Sequence, residues 1–118
     1  MRQIWDAVIV GGGPAGLSAA LILGRCCREV LLVDEGRQRN RVAGRMHGFL
    51  TRDGISPHEF LATAREQLRP YDRVRLIEDL VESAVCSGKE FAITIRNHEP
   101  SRTHTILLAT GVVDHLPP

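Results

Sequence analysis

Gly11, Gly13 and Gly16 stand at the spacing G-x-G-x-x-G, and Asp34 follows at about the distance that separates such a turn from the acid of a ribose site. Each residue type has a task if the ligand is a dinucleotide. Gly11 makes a tight turn off a strand, Gly13 carries no side chain and lets a pyrophosphate approach the backbone, and Gly16 lets a helix lie close to a strand. A helix opening at Pro14 and Ala15 adds free N–H groups and a positive dipole end, which favour phosphate. Asp34 accepts hydrogen bonds from ribose hydroxyls, and its charge repels a 2′-phosphate, which argues against NADP at this position. Glu35 is a second acid beside it, but Asp34 ends the strand and is the better candidate. A glycine motif by itself also occurs in turns that bind nothing, so its meaning depends on the elements around it.

Those elements are readable. Ile4 to Val10 is an almost continuous apolar run rich in β-branched residues, as in a strand buried on both faces of a parallel sheet. Ala15 to about Gly24 reads as a small-residue helix whose Ala19, Ala20 and Leu23 can lie on that sheet. Glu29 to Val33 is a second apolar strand, so the glycines sit inside a βαβ unit. A polar loop from Arg37 to about Ile55 follows. Ser56 is then an N-cap, Pro57 a first helical residue and Glu59 the partner of a capping box. Phe60, Leu61, Ala64 and Leu68 recur at helical spacing, and Pro70 stops the helix. Val74 to Ile77 reads as a third strand. Leu80 to Cys86, Phe91 to Arg96 and Thr103 to Ala109 read as a meander that returns to a buried strand, with turns at Ser87-Gly88-Lys89 and around Asn97 to Ser101. The expected fold class is α/β: a Rossmann-like parallel sheet with a β-α-β glycine loop, plus a three-stranded antiparallel meander.

Composition narrows the partners. The 118 residues make one domain at most, with 43% apolar and 25% charged residues and a formal net charge of +1. Such a balance gives no reason to expect nucleic acid or a membrane as partner. Arg37, Arg39, Arg41 and Arg45 form the one local bias and read as a solvated loop. Cys26, Cys27 and Cys86 have no C-x-x-C spacing, which argues against a disulfide framework, a zinc site and a dithiol redox motif. Cys26 and Cys27, late in the first helix, read as small buried hydrophobes. The apolar stretch from Ala7 to Leu23 is too short and too broken by glycine to span a bilayer, and no targeting segment is visible, so cytoplasm is the expected compartment. The histidines show no ligand spacing, and no metal site is expected.

The far end of the chain decides between nucleotides. Thr105-Ile106-Leu107-Leu108-Ala109-Thr110-Gly111 resembles the "ATG" motif of the flavoprotein family that includes thioredoxin reductases and glutathione-reductase-like enzymes. Val33-Asp34-Glu35-Gly36-Arg37, the pair Arg39-Asn40 and the run from Met46 to Gly54 resemble the thioredoxin-reductase-like branch most closely, and the likeness covers essentially the whole chain. The resemblance implies an FAD site in the amino-terminal part of an FAD-binding domain. It places Ala109, Thr110 and Gly111 beside the cofactor, Arg39 and Asn40 near the flavin, His47 towards the isoalloxazine and the Val81 backbone at the adenine. His47 is also readable as an ordinary loop histidine, and Asn40 as a turn cap.

The resemblance further implies a full enzyme that passes electrons from NADPH or NADH through FAD to a disulfide or another acceptor. The NAD(P)H domain, its C-x-x-C dithiol and the closing FAD segment of that family are expected to be absent from these residues. No residue here is assigned as a catalytic acid, base or nucleophile, and the chain alone is not expected to be catalytically competent. Two alternatives stay open: a stand-alone dinucleotide- or adenine-nucleotide-binding module, and a non-catalytic subunit of a split flavoprotein. A second copy or a complementary chain is a conceivable partner.

Overall fold

A computed structural model describes residues 4–35, 50–51 and 53–110. In chain order the elements are β1 (Ile4–Trp5), β2 (Ala7–Val10), α1 (Pro14–Arg25), β3 (Val30–Asp34), α2 (Pro57–Leu68), β4 (Val74–Glu78), β5 (Val81–Ser87), β6 (Glu90–Ile95), β7 (Ser101–Thr103) and β8 (Ile106–Leu108). They form two four-stranded sheets, one ordered β4-β3-β2-β8 and the other β1-β7-β6-β5. Every pairing in the first sheet is parallel. In the second, β5-β6 and β6-β7 are antiparallel and β1 joins β7 in parallel. The architecture is the expected one: a parallel dinucleotide-type sheet and a three-stranded meander.

Why the central strands are apolar without alternation follows from what lies on each face. Ile9, Val30 and Leu32 pack with Leu17 and Ala20 of α1 and Leu68 of α2. Their sequence neighbours Val8, Leu31 and Val33 point the other way and pack with Trp5, Ile93 and Ile95. Helices and meander sheet therefore cover opposite faces of the parallel sheet, and strands buried on both sides lose the period-2 pattern. Each of the valine, leucine and isoleucine side chains among them, taken fully out of water, contributes about 1.5–3 kcal/mol before conformational entropy is counted.

Two expected strands are in fact two elements each. The run from Ile4 to Val10 breaks at Asp6, and the run from Thr103 to Ala109 breaks at His104 and Thr105. In both cases the chain crosses from one sheet to the other. The crossings lie side by side, because β1 pairs β7 and β2 pairs β8, both in parallel. Polar groups stabilise the bend. Asp6 accepts the Glu29 N–H on its carboxylate at 2.8 Å and donates its own N–H to the Glu29 carbonyl at 2.9 Å. His104 N–H reaches the Trp5 carbonyl at 3.0 Å and Val8 N–H the Thr105 carbonyl at 2.9 Å, so the ladder continues through the corner.

Two further expectations are corrected. Among the described residues β8 is the edge strand of the parallel sheet and not a buried one: Ile106 packs on the core, but Leu108 is 73% exposed. Cys26 and Cys27 are exposed rather than buried. Both fall just past the last turn of α1, where Cys26 is the C-cap and Cys27 takes a left-handed φ of 59°.

The second helix starts at the residues its sequence predicts, with the Ser56 half of the expected capping box in place. Ser56 is the N-cap and its hydroxyl accepts the Glu59 N–H at 3.1 Å. Ser56→Ala removes that acceptor and is expected to lower stability by about 1 kcal/mol, read as a shift in the urea unfolding midpoint with an unchanged slope. Ser56→Asp is expected to keep the wild-type midpoint.

Candidate functional site

The chain leaves β2 at Val10 and turns at Gly11. The Gly11 N–H donates to the Val33 carbonyl at 2.8 Å, and φ at Gly11 is +117°. A Cβ there would sit 2.1 Å from the Ala109 carbonyl oxygen, so the turn is wedged between the ends of β3 and β8. One turn further on, a Cβ on Gly16 would lie 1.8 Å from the Gly11 carbonyl oxygen. Glycine at these two positions is what lets β2, α1 and the Ala109-Thr110 segment converge.

The start of α1 differs from the start of α2 in a way that bears on ligands. Its N-cap, Gly13, is extended and offers no side-chain acceptor, Pro14 follows, and no acid lies in the first turn. The first turn of α2 has Ser56 as acceptor and Glu59 as counter-charge. Among the described residues, the start of α1 thus has neither the side-chain cap nor the first-turn acid that α2 provides, and its dipole end is left open to an anion.

Asp34 closes β3, fully buried, while Glu35 beside it is exposed. One Asp34 oxygen accepts the Gly12 N–H at 3.3 Å, and the other meets Arg65 Nη2 of α2 at 2.8 Å. Gly12 lies so close to this carboxylate that a Cβ would approach its carbon to 2.5 Å. Gly11, Gly12, Gly13, Asp34, Glu35, Val81, Ala109 and Thr110 line one recess of about 130 Å³, together with Val10, Val33, Asp79 and Leu80.

The structure therefore brings together Gly11, Gly13, Asp34, Glu35, Val81, Ala109 and Thr110 from the sequence-based candidates. Pro14 and Ala15 are exposed and do not line this recess, and Gly16 is buried against the Gly11 carbonyl. Arg39, Asn40, His47 and Gly111 lie outside the described residues. Sequence reasoning missed Gly12, Asp79 and Arg65. Gly12 occupied a free position of the motif. Arg65 belongs to a different element, and its sequence position gave no sign that it faces Asp34.

Asp79 sits in the bend between β4 and β5. The Leu80 backbone N–H, and after it Arg96 with a 2.8 Å contact and Asn97, hold its carboxyl below the ordinary 3.8, against the opposing effect of burial. A carboxylate stabilised in the folded state contributes above its unfolded pKa and loses that contribution as pH falls below about 3.8. Between about pH 5 and about pH 3, wild type is therefore expected to lose more stability than Asp79→Asn. Urea unfolding midpoints measured across that interval check the sign.

Among the described residues, no group of three His, Cys, Asp or Glu side chains could hold a metal ion, and no helix is long and apolar enough to cross a membrane.

A glycine turn under a helix start, an acid closing the next strand and a meander returning beside the turn define an α/β fold of the dinucleotide-binding type. The sequence matches the pyridine nucleotide-disulphide oxidoreductase family over residues 5–118, and the chain belongs to that family, within its thioredoxin-reductase-like group. It is 40% identical over 115 residues to thioredoxin reductase tcpT of Claviceps purpurea, covering 95% of this chain and 36% of that protein. It is 38% identical over 122 residues to a probable thioredoxin reductase of Arthroderma benhamiae, covering 96% of this chain and 30% of that one. Among solved structures, an oxidoreductase from Agrobacterium tumefaciens superposes with a TM-score of 0.92 at 43% identity, over 98% of this chain and 39% of that one. A putative thioredoxin reductase from Bacillus anthracis superposes with a TM-score of 0.91 at 37% identity, over 95% and 38% of the two chains. The chain spans about a third of the length of the curated relatives it matches.

Proposed function

We propose that this chain is the FAD-binding portion of a thioredoxin-reductase-like oxidoreductase, in which electrons pass from NAD(P)H through FAD to a disulfide or another acceptor. The observation that carries the reading is the start of α1, without a side-chain cap, standing beside a buried strand-end acid in a recess that Gly11, Gly12 and Gly13 help to line. The donor set fits a dinucleotide. The α1 N–H groups face the pyrophosphate, Asp34 takes the adenosine ribose, and the Val81 backbone meets the adenine. Ala109 and Thr110, and Gly111 by the family resemblance, belong beside the cofactor. By the family resemblance, Arg39 and Asn40 belong near the flavin and His47 towards its isoalloxazine side.

FAD, when bound, supplies the hydride and electron chemistry, and the protein supplies binding and orientation. These residues bind and orient. We assign them no proton transfer, no nucleophile, no nicotinamide site and no C-x-x-C dithiol. The test is competition between dinucleotides, with FAD and NADH each titrated against the chain by calorimetry. FAD binding at least tenfold tighter supports the reading. NADH binding as tightly or more tightly favours a plain nucleotide-binding module.

A further inference from the structure

Arg65 has no part in the glycine motif, yet it makes a short hydrogen bond to the strand-end acid. Its Nη2 lies 2.8 Å from one Asp34 oxygen, whereas the Gly12 N–H contact to the other is 3.3 Å. Its Nη1 stands 3.6 Å from Glu78. Asp34 and Glu78 are register partners at the ends of β3 and β4, so one guanidinium from α2 spans both strand ends. The pairing is unequal: Asp34 is 2% exposed and Glu78 72%. An exposed pair adds little, so the contact that matters is the one to Asp34. Among the described residues, the buried Arg65 Nε finds no hydrogen-bond partner. A buried donor left unmade is a cost, and it persists where another contact fixes the group.

We propose that Arg65 is a positioning residue for adenosine recognition, holding the Asp34 carboxylate in the orientation that accepts the ribose hydroxyls. The inference rests on the functional reading above and deepens it. Arg65 touches the acid and not the nucleotide, so its effect should vanish when either the acid's charge or the ribose hydroxyls are removed.

Affinities of the full chain for FAD, ADP and 2′,3′-dideoxy-ADP test this, with circular dichroism confirming the fold of each variant. Wild type is expected to prefer ADP over dideoxy-ADP by about tenfold, and R65M to lose most of that preference. In the D34N background, adding R65M is expected to change ADP affinity less than twofold. R65K, which keeps the charge without the planar fork, is expected to fall between wild type and R65M, and it preserves the comparison should R65M misfold. If R65M, or R65K in its place, weakens ADP and dideoxy-ADP equally, or costs the same with and without D34N, Arg65 is a structural tie and the proposal is overturned while FAD binding stands. A wild-type chain that binds neither FAD nor ADP overturns the functional reading, and the role of Arg65 falls with it.

Discussion

Gly11→Ala is expected to cost about 3–5 kcal/mol, enough to remove much of the stability of an ordinary domain. Two effects add. At φ +117° an L side chain is strained, and the new methyl would press into the Ala109 carbonyl carbon at 2.5 Å, the Ala109 oxygen at 2.1 Å and the Thr110 nitrogen at 2.9 Å. All three are backbone atoms, so no rotamer change relieves the clash. Nor can the turn slide away, because Gly11 N–H is fixed to the Val33 carbonyl and Ala109 N–H to the Val10 carbonyl, each at 2.8 Å. The measurable result is a thermal midpoint lower by on the order of 10–20 °C, or no cooperative transition. Gly88→Ala is the control. Its φ is +66° but open space surrounds it, so only the left-handed strain of about 1 kcal/mol applies. Equal losses at the two positions would contradict the close approach of β2 and β8 on which the site depends.

The second large effect is on the ligand. Asp34→Ala is expected to weaken FAD binding by about 10- to 100-fold, the loss of one or two hydrogen bonds to a charged acceptor. It also removes the acceptor of the Gly12 N–H and the partner of Arg65, with a stability cost of about 1–3 kcal/mol. That cost is moderate because Arg65 is 31% exposed and already leans towards Glu78. Asp34→Asn, which preserves shape and one oxygen, is expected to lose less of both. Glu35→Ala is expected to change FAD affinity by less than about twofold, since Glu35 is exposed beyond the strand end. Quenching of flavin fluorescence on titration gives all of these affinities. A larger effect at Glu35 than at Asp34 would move the ribose acceptor to Glu35.

Much of this fold was legible in the residues. The apolar runs of β2 and β3, the glycine turn and the Ser56-Pro57 helix start each specify local structure without help from elsewhere. The breaks at Asp6 and at His104-Thr105 were not legible. One polar residue in a β-branched run reads as a tolerated exception, and only the opposite crossing shows why the chain must bend there. The exposure of Leu107 and Leu108 was hidden for a related reason, since sheet order, and not composition, makes β8 an edge. Cys26 and Cys27 were misplaced because a helix end set by one left-handed residue carries no glycine to announce it. At the site, Gly11, Gly13 and Asp34 followed from spacing. Arg65 did not, because its partner is fixed by how α2 lies across β3 and β4, a tertiary fact with no local pattern.

The most direct test of the central claim is the visible absorption spectrum of the purified chain after incubation with FAD and desalting, beside the same preparation of Asp34→Ala. Flavin bands are expected to remain with the wild-type chain and to be reduced in the variant. A correctly folded wild-type chain that emerges colourless, and leaves flavin fluorescence unquenched on titration, would contradict the claim that these residues form an FAD site.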